Sequence, residues 1–226
     1  MLIKIDNLTK IYKEERGLLP FHLKVEQGEL VALIGHNGAG KSTLLKLLAG
    51  WLIPDSGQVF VDGINLKNRM AVVRKIGFVP ETPNLFDFFT VDYNLRLFAR
   101  LFQIPFLRIE EILKTFNLLP FRNNRIQVLS KGLRQRVSIG RSLLADPSVL
   151  LFDEPTSGID FDMTKEIYRL LREFHSSGKT IIFTSHRPEE IKNLATRIVV
   201  LHQGALVFDG SPESYFQSDI HEKLYQ

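Results

Sequence analysis

Nine residues, Gly35-His36-Asn37-Gly38-Ala39-Gly40-Lys41-Ser42-Thr43, limit what this chain can fold into more than any other stretch. Before them runs Leu30-Val31-Ala32-Leu33-Ile34, short and apolar, which reads as a buried strand. After them, Ser42-Thr43-Leu44-Leu45-Lys46-Leu47-Leu48 reads as a helix. A G-x-x-x-x-G-K-S loop between strand and helix is a phosphate cradle, the P-loop. Its glycines let the backbone aim N–H groups at the β- and γ-phosphates of a nucleoside triphosphate, and the helix N-terminus adds partial positive charge there. Lys41 brings a compact point charge and Ser42 a hydroxyl for Mg²⁺. The expected nucleotide contacts are Gly35, Asn37, Gly38, Ala39, Gly40, Lys41, Ser42 and Thr43. A chance glycine-rich turn would not need the flanking strand and helix.

A second apolar strand, Ser148-Val149-Leu150-Leu151-Phe152, ends in Asp153-Glu154. Adjacent carboxylates at the C-terminal edge of a buried strand suit a shared task. Asp153 would hold Mg²⁺, usually through water, and Glu154 would polarise the water that attacks the γ-phosphate. Alone the two would pass for an ordinary strand-end charge pair; the P-loop upstream favours the catalytic reading.

Between these motifs lies Leu129-Ser130-Lys131-Gly132-Leu133-Arg134-Gln135-Arg136, followed by the helix-compatible Val137-Ser138-Ile139-Gly140-Arg141-Ser142-Leu143-Leu144. With these residues the chain resembles the nucleotide-binding subunit of an ABC transporter, from Tyr12 to a hairpin near Gly204. The parts come in the family's order: aromatic Tyr12, the P-loop, a Val79-Pro80-Glu81 turn, the Leu129-Ser130-Lys131-Gly132 signature and Asp153-Glu154-Pro155. A Ser157-Gly158-Ile159-Asp160 D-loop and a switch histidine, His186, complete the set. Each part is weak alone; the ordered set is specific.

The resemblance implies an α/β fold: a P-loop NTPase core with an N-terminal antiparallel β region and an inserted helical signature lobe. The expected division of one domain, 1–226, is core at 1–84 and 145–226 and lobe at 85–144. It implies ATP and Mg²⁺ as ligands, with hydrolysis by Glu154 assisted by His186, and Mg²⁺ held by Ser42, Glu81 and Asp153. Ser130 and Gly132 would contact the γ-phosphate held by a second ATP-binding subunit, expected as a homodimer. A separate transmembrane permease subunit would carry the substrate, and the chain would sit in the cytoplasm, peripheral on the inner face of the cell membrane.

Local chemistry is compatible with these roles. Tyr12 precedes the P-loop at a distance that lets a β-arch return it over the adenine, where stacking contributes roughly 1 kcal/mol; packing on the sheet is its other reading. Ser130 stands at a helix start, as a phosphate contact, an N-cap, or both. His186 follows the apolar strand Ile181-Ile182-Phe183-Thr184-Ser185, which puts it at a sheet edge near the phosphates. Two positions depart from the family pattern. Glu81 stands where most members carry Gln; it can ligate Mg²⁺ but adds negative charge. The signature reads Leu-Ser-Lys-Gly-Leu instead of Leu-Ser-Gly-Gly-Gln. Glu81 combined with the Lys131-Gly132-x-Arg134-Gln135 run looks similar to an exporter branch.

The formal net charge of +4 and the lack of a basic run give no nucleic-acid footprint. With no cysteine there is neither disulfide nor thiolate zinc site. No apolar run approaches the roughly 20 residues that span a bilayer, so a membrane domain would be on another chain. Seven aromatics, Phe86, Phe88, Phe89, Tyr93, Phe98, Phe102 and Phe106, are expected mostly to pack the lobe's core. Phe86, Phe88 and Phe89 are the ones expected to face a partner. The rival from another class is a soluble ABC ATPase acting as an assembly or scaffold factor. A generic P-loop kinase would leave the signature and His186 unexplained.

Overall fold

The computed structural model describes residues 1–12 and 17–220. In chain order, β1 (Ile3–Ile11), β2 (Gly17–Leu18) and β3 (Leu23–Val25) precede β4 (Leu30–Ile34) and α1 (Lys41–Leu48). Then come β5 (Ser56–Val61), β6 (Ile64–Asn65), α2 (Arg69–Val72) and β7 (Ile76–Val79). Three helices follow, α3 (Val91–Leu101), α4 (Leu107–Thr115) and α5 (Lys131–Ser142). The chain ends in β8 (Val149–Phe152), α6 (Phe161–Ser176), β9 (Thr180–Thr184), α7 (Pro188–Leu194), β10 (Arg197–His202), β11 (Ala205–Gly210) and α8 (Pro212–Phe216).

Successive side chains of a strand point to opposite faces, and here each face has its own core. Leu30, Ala32 and Ile34 enter one core with Leu150, Phe152, Ile181 and Phe183. Val31 and Leu33 enter the other with Val149, Leu151 and Ile182. Strands buried on both faces read as unbroken apolar runs, as β4, β8 and β9 do. The sheet order is β11-β10-β4-β9-β8-β7, with β11 antiparallel at the edge and the other neighbours parallel.

The antiparallel region expected near the N-terminus is present: β1 pairs with β2, β3 and β5, and β5 with β6. Its Ile3, Ile5, Val59 and Val61 share a core with Leu44, Leu45, Leu47 and Leu48 of α1. The opposite core holds Leu95, Ile112, Val137, Ile167, Ile191 and their neighbours from α3 through α7. The fold is α/β as expected, with the C-terminal ends of β4, β9, β8 and β7 all at one edge, where ligands collect in open parallel sheets.

The aromatic cluster corrects an expectation. Tyr93 and Phe106 are exposed, and Phe98 and Phe102 are only half-buried; Phe86, Phe88 and Phe89, the three expected to face a partner, are exposed. The stripe that α3 buries is Val91, Leu95 and Ala99 at i, i+4 spacing, and the aromatic positions fall beside it. Ile109, Ile112 and Leu113 of α4, with Phe116, fill the space instead.

Two polar side chains set the start of α3. Thr90 Oγ1 accepts from Tyr93 N at 3.1 Å as the N-cap. Fully buried Asn94 accepts from Phe86 N at 2.8 Å and donates to Phe86 O at 3.2 Å and Thr90 O at 2.9 Å. Thr90→Ala should lower stability by about 1 kcal/mol, read as a smaller urea midpoint at unchanged m value.

Candidate active site

The loop between β4 and α1 can form only around glycine at two of its positions. Gly35 has φ 152°, and a Cβ there would lie 2.2 Å from Leu201 O of β10. Gly40 has φ 104° and would press a Cβ to 2.6 Å from Leu18 Cδ2 of β2. The loop is therefore locked between the parallel sheet and the antiparallel one. Its hairpin seat is closed by backbone bonds from Gly204 N to Ala39 O at 3.1 Å and from Leu19 N to Gly204 O at 2.9 Å.

Lys41, the first residue of α1, is 8% exposed. Its Nζ donates to Gly35 O at 2.7 Å and His36 O at 3.1 Å, within its own loop. Burial pushes its pKa down, and the nearby carboxylates of Glu154 and Asp153 only partly offset this. A desolvated ammonium held by carbonyls has strong affinity for an anion brought beside it.

The carboxylates come from the next strands. Asp153 N continues the ladder by donating to Val79 O at 2.9 Å. Asp153 Oδ1 accepts from Ser42 Oγ at 3.1 Å and from Thr184 Oγ1 at 2.9 Å. Thr184 Oγ1 in turn accepts from Glu154 N at 2.7 Å. Glu154 has φ 47°, a left-handed conformation that costs a non-glycine residue on the order of 1 kcal/mol. The turn re-aims its side chain, and Glu154 Oε1 lies 3.0 Å from His186 Nδ1 just beyond β9. Glu81, after β7, accepts from Ser157 Oγ at 3.1 Å.

These groups line one cavity of about 550 Å³: Tyr12, Gly17, Asn37, Gly38, Gly40, Lys41, Ser42, Thr43, Glu81, Asp153, Glu154 and His186. Of the expected site residues, Gly35 and Ala39 support the loop from behind without lining the cavity. Tyr12 does not pack on the sheet; it is 43% exposed at the rim, with Lys10 Nζ 5.9 Å from its ring centre. Ser130 and Gly132 lie apart from this cavity. Ser130 caps α5, accepting from Leu133 N at 3.3 Å, and Gly132 is buried where a Cβ would come 2.7 Å from Met163 Cε of α6.

Three carboxylates and one ammonium line a space shaped at a P-loop, so an added polyanion needs a further cation. The convergence of the Ser42 hydroxyl on Asp153 offers oxygen donors only. That donor set fits a hard divalent ion such as Mg²⁺, which keeps most of its waters and takes one or two protein ligands. Thr184 and Gly17 were not foreseen, and Ser157 was read as part of the D-loop but not as a partner of Glu81. Thr184 had one available signal, a hydroxyl at the last position of an apolar strand two residues before His186.

A P-loop, strand-end carboxylates and a histidine converging at the C-terminal edge of a parallel sheet make this a nucleotide-hydrolysing α/β protein. More narrowly, the chain belongs to the ABC transporter family, whose model matches residues 18–157, and it is an ATPase of that family. It is 37% identical to the ABC transporter ATP-binding protein NatA of Bacillus subtilis over 98% of this chain and 91% of that protein. It is 37% identical to the sulfate/thiosulfate import ATP-binding protein CysA of Gloeobacter violaceus over 94% of this chain and 63% of that one. The Nod factor export ATP-binding protein I of Rhizobium etli is 35% identical over 93% of this chain and 68% of its own length. Among solved structures, a dimeric post-hydrolysis state of the ATP-binding cassette MJ0796 bound to ADP and Pi superposes with a TM-score of 0.84. It is 29% identical and covers 93% of this chain and 99% of its own.

Thr184→Val keeps the shape of the β9 end but leaves Glu154 N–H without its acceptor. It should lower unfolding free energy by about 1–3 kcal/mol, measurable by urea titration.

Proposed function

We propose that this chain is the energy-supplying subunit of a transporter: it binds ATP in the cavity, pairs with a second ATP-binding subunit around two ATP molecules, and drives separate transmembrane permease subunits. The observation that carries the reading is the junction at the sheet edge. Glu154, 3.0 Å from His186, stands beside the Asp153–Ser42 pair and the buried Lys41.

In this reading Gly35, Asn37, Gly38, Ala39, Gly40 and Thr43 form the phosphate cradle, and Lys41 moves its donors from the loop carbonyls to phosphate oxygens. Tyr12 stacks on the adenine from the rim. Ser42, Asp153 and Glu81 would hold Mg²⁺. A bound Mg²⁺ would supply positive charge to the β- and γ-phosphate oxygens. Glu154 takes the proton of the attacking water, and His186, hydrogen-bonded through Nδ1 to Glu154 Oε1, orients that carboxylate beside the γ-phosphate. Ser130 and Gly132 present the start of α5 to the ATP held by the second subunit, a homodimer being the simplest pairing.

Residues 85–144 act as the helical lobe and 1–84 with 145–226 as the core of one domain. Exposed Phe86, Phe88 and Phe89 offer an apolar face to the permease. Among the described residues no helix is long and apolar enough to cross a membrane, which suits a subunit working from the cytoplasmic face beside a membrane-spanning partner. The relatives' names include an importer and an exporter, and the exporter placement rests on Glu81 with the Lys131-Gly132-x-Arg134-Gln135 signature.

Glu154→Gln keeps shape and hydrogen bonding but removes the base. Turnover should fall roughly 10²-fold or more while ATP binding persists, and ATP should collect the protein as a dimer on size-exclusion chromatography. Near-normal turnover would show the base to be elsewhere. Glu81→Gln should preserve most ATPase activity and raise the Mg²⁺ concentration needed for half-maximal rate, because an amide is the weaker ligand. An unchanged Mg²⁺ titration would remove Glu81 from the metal site.

A further inference from the structure

Among the described residues the buried carboxylates are Asp153 and Glu190, and the proposed function uses only the first. Glu190 is 1% exposed, in the first turn of α7. Its place near a helix N-terminus is electrostatically favourable, but that alone does not call for burial. Burial pushes its pKa up; bonds from Ser185 and Thr156 and the charge of Arg187 oppose this, while Glu154 adds to it. A buried carboxylate is costly unless its oxygens are bonded, and an apolar residue would pack the same site at no such cost.

The bonds Glu190 makes connect two strand ends. Its Oε2 accepts from Ser185 Oγ at 2.6 Å, and Ser185 directly precedes His186. Thr156 Oγ1 lies 3.3 Å from Oε1 and 3.2 Å from Oε2, and Thr156 is two residues past Glu154. Ser185 Oγ also accepts from Arg187 N at 3.0 Å, so both sides of His186 are held. The β8–β9 ladder stops at the pair Phe152 and Phe183. Beyond it, Thr184 fixes Asp153 and the backbone of Glu154, and Glu190 is the next tie across the gap.

We infer that Glu190 is a positioning residue of the hydrolytic centre: through Thr156 and Ser185 it holds the segment carrying Glu154 and the segment carrying His186 in register, so that the two side chains meet. This rests on the roles proposed for Glu154 and His186. Glu190 touches neither reacting atoms nor the cavity, so its loss should slow the chemical step without weakening ATP binding.

The test compares steady-state ATPase kinetics, ATP affinity by calorimetry and thermal stability for Glu190→Ala, Glu190→Gln and Ser185→Ala, with Glu154→Gln alongside. Glu190→Ala should reduce kcat about tenfold or more with KM for ATP within about twofold of wild type. Glu190→Gln keeps the shape and can exchange hydrogen bonds with both hydroxyls, so it should restore most of kcat. Ser185→Ala, which leaves the Thr156 bonds in place, should give a smaller fall, about threefold, again in kcat alone. The inference is overturned if Glu190→Ala turns over at the wild-type rate, if Gln is no better than Ala, or if kcat and ATP affinity fall together. Should Glu190→Ala fail to fold, wild-type kcat in Ser185→Ala overturns it equally. An active Glu154→Gln would overturn the base assignment itself; an inactive Glu154→Gln beside an active Glu190→Ala overturns only the inference.

Discussion

The hydroxyl of Thr184 sits where three strands' worth of chemistry must be brought into register. It donates to Asp153 Oδ1 and accepts from Glu154 N, while the same Asp153 oxygen accepts from Ser42 at the start of α1. β9 runs between β4 and β8, so one side chain at its end fixes the spacing of the P-loop helix and the two carboxylates. A hydroxyl suits the position because it both donates and accepts. An amide-bearing or longer side chain would alter a spacing that the ladder itself determines to within one residue.

That register is protected from both sides. Residues alternating along β4, β8 and β9 go to separate cores, so a slip of one residue would exchange the contents of both. The P-loop depends on the same arrangement: Gly35 abuts a carbonyl of β10, and Gly40 a methyl group of β2. Two sheets thus clamp a loop whose own backbone is in conformations other residues resist. The left-handed backbone of Glu154 is tolerated for a related reason, since its N–H is bonded to Thr184 and its carbonyl accepts from Ser157 N at 3.0 Å.

Much of this was legible because it is local. Gly35 to Thr43 is a contiguous motif bounded by a strand and a helix, and Asp153-Glu154 ends a contiguous apolar run. The hairpin formed over Gln203-Gly204 as read as well. The unread part is nonlocal. Glu81 meets Ser157 across 76 residues, Asp153 meets Thr184 across 31, and Glu190 reaches Thr156 across 34. Such partners are chosen by sheet order, which neither propensity nor periodicity encodes. The aromatic cluster was misjudged for a further reason: ring size suggests burial, yet α3 approaches its neighbours through Leu95 and Ala99, leaving the rings beside the contact.

The unusual signature residue has a place of its own within the chain. Lys131 opens α5 immediately after the capping Ser130, and a Cβ built on Gly158 would lie 2.4 Å from Lys131 Nζ. Gly158 has φ 63°, so glycine there meets both the backbone conformation and the space that the ammonium occupies. One residue on, Gly132 packs against Met163 in the first turn of α6, whose own cap is Asp160, accepting from Met163 N at 2.8 Å. The starts of α5 and α6 are consequently packed together. A lysine at 131 and a glycine at 158 are one accommodation: the long side chain lies along its own chain's turn.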